Sequence, residues 1–361
     1  MATLKQLTNE RSDSLFPLAA NFRIVRLGEA DARLSSDRLK TLTDLVGASE
    51  DMYPGIHRWL SEKVVPGLRS SRRAAWVAYE GEEPIAAAIL KLGEKAKFCH
   101  LRIRHDFQDM DLGQLFFTQM TLETRHIAKE IHFTLPEGLW EAKASFFQSF
   151  GFVRAAKSNR QYRAGEDELI CSAPLGVVRV AALEHLPALA RKFNVSGYAL
   201  GGDLLVSMKP RYAERVLSGS KLVEIRRKFS ERWIGCKVVL YSSSPQQALV
   251  GEATVCSVTT GTPEAIWARF HAGLGCTRDE FSAYVGQAAA ISAIELNDVF
   301  PYKEPISLSQ ITYLLGLQAD LKPPQSYCHL RLDKNHSAWA KAAAVASVLH
   351  GRYTRSNLCR A

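Results

Sequence analysis

Between Ser218 and Phe229 the chain reads SGSKLVEIRRKF, a turn-forming Ser-Gly-Ser followed by a lysine, a glutamate and three further cations. On a strand, side chains alternate, so Leu222, Glu224 and Arg226 share one face and Lys221, Val223 and Ile225 the other, unless a bulge intervenes. Two chemistries suit this pattern. A buried carboxylate beside a guanidinium is a structural ion pair that orients the strand. Alternatively the stretch lines a cationic cleft, where Lys221 and Arg226 meet a phosphate or a base and Glu224 holds the arginine's fork in register.

A second stretch, LRIRHDFQDMDLGQLFF from Leu101 to Phe117, sits where a strand gives way to a helix. Unpaired backbone N–H groups at such a junction, together with the positive end of the helix dipole, can cradle a phosphate. Asp109 and Asp111 read equally well as first-turn acids that complement the dipole and bind nothing.

The elements that must position these groups follow from hydrophobic periodicity. FRIVRL (22–27) alternates as a strand, and helix-compatible spacing runs on to Leu68, interrupted at Gly47 and Pro54-Gly55. AAWVAYE and PIAAAILKLG form a hairpin about Gly81-Glu82-Glu83, and FCHLRIR adds a third strand, ending near Arg104. A helix from Leu112 to about Lys129, the strand IHFTLP, the short helix LWEAKASFFQSF and the strands FVRAAK and DELICSAPL complete a mixed α/β domain ending near Leu175. Residues 176–202 read as a linker with one amphipathic stretch, LEHLPALARKF. Beyond it LLVSMKP, a helical RYAERVLSG, KVVLYSSS and ALVGEATVCSV alternate like the strands and helix of a small barrel. The alanine-rich SAWAKAAAVASVLHGRY predicts a C-terminal helix within 334–361.

The first domain, residues 22–175, resembles the GCN5-related N-acetyltransferases. Gln108, Asp111 and Gly113 fall on the three fixed positions of that family's loop motif, and FFQSFGF (146–152) is similar to its aromatic pair followed by Gly-Phe. The resemblance implies an acetyl-CoA site built from Ile103, Gln108, Asp109, Asp111, Leu112, Gly113 and Gln114. Asp111 stands where the family has its first loop glycine; a carboxylate repels a pyrophosphate, but aspartate tolerates unusual backbone angles better than most residues. Phe147 occupies the place of a common tyrosine acid and Trp140 that of a common asparagine. His100 and His105 are candidate bases and Tyr162 a candidate acid.

The second domain, residues 203–333, resembles the ASCH domains of the PUA-like barrel superfamily, because Gly219, Lys221, Glu224 and Arg226 fill all four positions of Gly-x-Lys-x-x-Glu-x-Arg. That resemblance implies an RNA or modified-nucleobase cleft using Lys209, Lys221, Glu224, Arg226, Arg227 and Tyr241. Glu224 replaces the hydroxyl residue of the family's amidohydrolases, and the first later glutamate in the GLGCTRDEF region is Glu280, which departs from their chemistry. Acid-base cleavage of RNA by Lys221, Glu224 and Arg226 stays open.

Charge agrees with a polyanionic partner. The 361 residues carry a formal net charge of +9, with a pI near 9.2, and cations gather in the C-terminal half. Lys322, Arg331, Lys334, Lys341, Arg352, Arg355 and Arg360 face only Asp333 there. The polar opening MATLKQLTNERSDSLF (within the tail 1–21) lacks a secretory apolar run, no window is apolar enough to span a bilayer, and seven scattered cysteines show no metal-ligand spacing. These features predict a cytoplasmic protein with reduced thiols and no membrane association. The expected whole is an acetyl-CoA-dependent N-acetyltransferase acting on an amine of RNA, a nucleobase or an RNA-associated protein. Its rivals are a non-catalytic RNA-binding regulator and an RNA hydrolase.

Overall fold

The computed structural model describes residues 22–108, 110–124, 128–157, 167–193, 203–319, 321–330 and 337–350. The chain divides into two compact units, with the break between Phe193 and Asn194.

In the first unit β1 (Phe22–Leu27), β2 (Arg73–Glu80), β3 (Glu83–Lys91) and β4 (Lys95–Ile103) form an antiparallel run, which β5 (Glu130–Pro136), β6 (Val153–Lys157) and β7 (Glu168–Pro174) extend in the order β1-β2-β3-β4-β5-β7-β6. The hairpin expected from the two apolar runs is β2–β3, buried at consecutive positions on both strands. Small helices α1 (Glu29–Arg33), α2 (Asp37–Gly47), α3 (Ile56–Trp59) and α4 (Val65–Arg69) cover one part of this sheet, placing Leu39, Leu42, Val46, Ile56 and Leu60 against Val77 and Ile89. α5 (Leu112–Thr124) and α6 (Glu137–Ser149) follow β4 and β5. The aromatic FFQSFGF belongs to the core: Phe146, Phe147, Phe150 and Phe152 all lie near the Phe117 ring, with centroids 5.0–6.1 Å away.

One strand pair is unlike the rest. β4 and β5 are parallel and pair only from Lys95 to Lys97, so beyond that point the sheet parts and leads into the loop before α5. Open α/β sheets bind ligands at such diverging carboxyl ends.

The expected linker 176–202 requires correction over its first part, while residues 194–202 lie outside the described residues. Leu175–Lys192 is an 18-residue helix, α7, which packs with α5 in the first unit. Its Val178, Ala182, Leu186 and Leu189 are buried, so the amphipathic stretch visible in the sequence is the end of a longer packed helix rather than a connector.

The second unit holds β8 (Asp203–Met208), β9 (Val223–Arg226), β10 (Lys237–Ser242), β11 (Ala248–Gly261), β12 (Ile291–Ser307) and β13 (Tyr327–Leu330), in the order β13-β8-β10-β11-β12-β9. Helices α8 (Pro210–Leu217), α9 (Pro263–Leu274), α10 (Arg278–Val285), α11 (Leu308–Leu315) and α12 (Ser337–Leu349) accompany it. The barrel expected from the sequence is not closed. Among the described residues the terminal strands β9 and β13 do not pair, and each is only four residues long. The carbonyls of Val223 and Ile225 are instead capped by the Lys221 ammonium and the Tyr284 hydroxyl, which blunts the edge of β9.

The expected basic C-terminal helix is also different in kind. Within α12 Lys341 is exposed, whereas Trp339, Ala340 and Ala342 through Leu349 are buried. Trp339 meets the Tyr241 ring at 5.6 Å. The cations Arg331, Lys334, Arg352, Arg355 and Arg360 lie outside the described residues.

Candidate functional site

In the second unit the side chains of the Lys221 motif gather at the gap in the sheet. β9 begins at Val223, so Lys221 precedes the regular alternation and reaches the same side as Glu224. Its Nζ lies 3.3 Å from Glu224 Oε2 and donates to Val223 O and Leu274 O, both at 2.7 Å. Leu274 ends α9, where a cation also suits the helix dipole. Arg226 Nη2 is 2.9 Å from Glu224 Oε1 and 2.8 Å from Ser207 O on β8, while Nη1 donates to Ser326 Oγ at 3.1 Å. One guanidinium thus ties β9, at one end of the strand order, to β8 and the segment entering β13 at the other. Val223 and Ile225 point into a separate apolar cluster with Ile266, Phe270 and Phe281, so the strand is buried on both faces.

Local backbone chemistry holds this geometry. Gly219 has φ +76° with open space about its Cα, so the motif needs glycine for the turn rather than for room. Gly275, at φ +61°, ends α9, and a Cβ there would lie 2.9 Å from Lys221 Cβ. Arg215 donates to the same Gly275 carbonyl. Both readings of SGSKLVEIRRKF meet here: an ion-paired scaffold and a cleft wall are made by the same residues.

A cleft of about 830 Å³ lies over this network, lined by β8, β9, α8, α10 and the segment Pro323–Gln325. That volume falls within the range of roughly 300–1,000 Å³ typical of small-ligand sites. Lys209, Lys221, Glu224, Arg226 and Arg227 all line it. Tyr241 does not: it is fully buried against α12 and cannot stack on a base, which corrects the sequence expectation. Sequence reasoning missed Arg211, Tyr212 and Tyr284. Arg211 lies over the Tyr212 ring at 4.6 Å and pairs with Glu280 at 2.7 Å, joining α8 to α10. Glu280 also closes the capping box with Thr277 that starts α10. Burial pushes the Tyr212 and Tyr284 phenols and the Cys276 thiol upward, so all three are protonated at neutral pH.

In the first unit the phosphate-loop candidates lie between β4 and α5. Ile103 ends β4, Gln108 follows the turn His105–Phe107, and Asp111 adopts φ +61° immediately before α5. The carboxylate of Asp111 is not bare: Lys192 on α7 lies 2.7 Å from it. The first intrahelical bond runs from Leu115 N–H to Asp111 C=O, leaving the N–H groups of Leu112, Gly113 and Gln114 without intrahelical acceptors. The Leu112 side chain is fully buried, so only its backbone is available to a ligand. Asp109 and Tyr162 lie outside the described residues.

His100 is on β4, past the point where β4 leaves β5, with its ring 5.9 Å from Tyr53 and 6.4 Å from Trp59. Burial, aided by the Arg102 charge, pushes its pKa down to about 4. The ring is therefore neutral at pH 7. His105 is exposed on the turn after β4. Phe147 stacks on Trp140 at 5.6 Å and 7°, so the place of the absent tyrosine is filled by packed aromatic core.

Residues 206–318 match a family described as a domain of unknown function, DUF365. A curated relative, an ASCH domain-containing ribonuclease of Zymomonas mobilis subsp. mobilis, is 26% identical over 132 residues, covering 37% of this chain and 86% of that protein. Among solved structures, ASCH from Zymomonas mobilis aligns at 24% identity over 39% of this chain and 93% of its own, with a TM-score of 0.34. A putative acetyltransferase of the GNAT family from Desulfovibrio desulfuricans aligns at 15% identity over 43% and 99%, with a TM-score of 0.33. The chain is thus similar in its C-terminal part to an ASCH protein, and its N-terminal part has GNAT-like structural neighbours. Among the described residues no helix is long and apolar enough to cross a membrane.

Proposed function

We propose that this chain is a cytoplasmic acetyl-CoA-dependent N-acetyltransferase that modifies an amine of RNA, a nucleobase or an RNA-associated protein, with the second unit binding the RNA. The observation that carries the transferase half is the junction of β4, its parting from β5, and a left-handed Asp111 directly before α5. The N–H groups of Leu112, Gly113 and Gln114, which have no acceptor within the helix, suit a pyrophosphate, and Lys192 offsets the acidic residue that would oppose it. With acetyl-CoA bound, the thioester supplies the acyl group. The chain's part is to position the amine and accept its proton; His105 and His100 are the candidate acceptors, His100 being the weaker base because burial lowers its pKa to about 4.

The RNA half is supported by the cationic cleft and by the relative named a ribonuclease. That relative also favours a second reading, RNA cleavage in the cleft. Against it stands the engagement of Lys221 and Arg226 with backbone carbonyls and Glu224. The test is transfer of label from radiolabelled acetyl-CoA to total RNA and to ribosomal protein. Label in either fraction that depends on the protein supports the proposal; intact, unlabelled acceptors with bound coenzyme contradict it, and shortened RNA selects the second reading.

A further inference from the structure

The cleft has a floor whose charges are engaged and a rim whose charges face solvent. At the floor Lys221 and Arg226 have side chains only 3% and 8% exposed. Apart from the Arg226 Nε–H, which is buried without a hydrogen-bond acceptor among the described residues, their N–H groups go to Val223 O, Leu274 O, Ser207 O, Ser326 Oγ and the two oxygens of Glu224. A phosphate reaching them would have to displace bonds that hold the sheet together. At the rim Lys209 and Arg227 are exposed.

Between rim and floor stands Tyr284. Its hydroxyl donates to Ile225 O at 3.2 Å and its carbonyl accepts from Arg227 Nη2 at 3.2 Å, so both ends of the residue are fixed. It is nevertheless 40% exposed, and no aromatic neighbour packs on its ring among the described residues. Tyr212, the other tyrosine of the cleft, has the Arg211 and Lys221 cations over its ring instead, at 4.6 and 5.5 Å. A fixed, open aromatic ring beside surface cations is the arrangement that stacks an unpaired base and holds its phosphate.

We infer that the cleft receives one unpaired nucleotide of single-stranded RNA, its base on the Tyr284 ring and its phosphate at Lys209 and Arg227. This rests on the RNA-binding reading above and narrows it to a substrate class. A base in a duplex must leave its stack before its face can lie on the Tyr284 ring. The motif Lys221-Glu224-Arg226 then builds the floor and does not touch phosphate.

The test is fluorescence anisotropy of the full chain with a labelled mixed-sequence RNA, single-stranded and annealed to its complement. The single strand is expected to bind at least about tenfold tighter than the duplex. Tyr284→Phe, which keeps the ring but gives up the hydroxyl's bond to Ile225 O, should lose clearly less affinity than Tyr284→Leu, which should lose about tenfold or more. Lys209→Gln and Arg227→Gln should each reduce the slope of log affinity against log salt by about 0.7. Equal affinity for duplex, wild-type binding by Tyr284→Leu, or equal losses in the Phe and Leu variants would overturn the inference while leaving RNA binding intact. Failure of the wild type to bind any RNA would overturn both. Should Tyr284→Leu lose its thermal transition, the two salt slopes decide, and unchanged slopes overturn the inference.

Discussion

Arg226 Nη2 donates to Ser207 O at 2.8 Å, and this bond joins two strands that the sheet order leaves four places apart. A side chain closes the seam that backbone pairing leaves open. The same guanidinium is held by Glu224, which makes the most recognisable motif of the sequence the clasp of the second unit's sheet.

Shortening or removing that clasp should destabilise the protein in a graded way. Arg226→Lys keeps the charge but not the fork, leaving a buried acceptor unpaired at a cost of about 1–3 kcal/mol. Arg226→Met also leaves Glu224 with Lys221 as its remaining cation and should cost more, up to about 3–5 kcal/mol. Urea unfolding measures both; two variants as stable as wild type would show the seam bonds to be incidental.

Lys221 and Glu224 should behave as one unit. Lys221→Met and Glu224→Gln each take one partner from a buried charged group, so the double variant should be less damaged than the sum of the singles, with a coupling of about 1–3 kcal/mol. A double-mutant cycle by chemical denaturation gives the value, and additivity would contradict the geometry.

His100 sets a pH dependence. Its folded-state pKa, about 4, lies below the unfolded value near 6.5, so the folded chain binds fewer protons. The neutral ring's contribution is fully present above about pH 6.5 and is lost as pH falls toward 4, by roughly 1–3 kcal/mol. His100→Leu should flatten that part of the stability profile, measured by thermal melting from pH 7 to 4.

Asp111→Gly should raise acetyl-CoA affinity, by about tenfold, because it removes a carboxylate from the N-terminus of α5 while the residue keeps φ +61°. Asp111→Ala removes the same charge but strains that conformation, by about 1 kcal/mol. Equal affinity in wild type and Asp111→Gly would exclude the loop as the phosphate site.

How far the sequence foretold this differs from element to element. The β2–β3 hairpin and the loop before α5 were legible because periodicity and turn residues are local. Gly219, Lys221, Glu224 and Arg226 were legible as a set, yet the face of Lys221 was misjudged, since alternation applies only from Val223, where β9 begins. Tyr241 was misplaced because its burial is created by α12, about a hundred residues later. The open barrel could not be read either, for closure depends on whether two distant four-residue strands meet. Tyr284 and Glu280 on α10 carry no spacing signal of their own; only the fold brings them to Arg227 and Arg211.

The most direct measurement of the proposed function is calorimetric titration of the full chain with acetyl-CoA. Saturable binding in the micromolar range, about −8 kcal/mol, is predicted, weakened by the loss of Lys192 in Lys192→Met. No heat and no thermal stabilisation at millimolar coenzyme would contradict it, reducing the first unit to a scaffold.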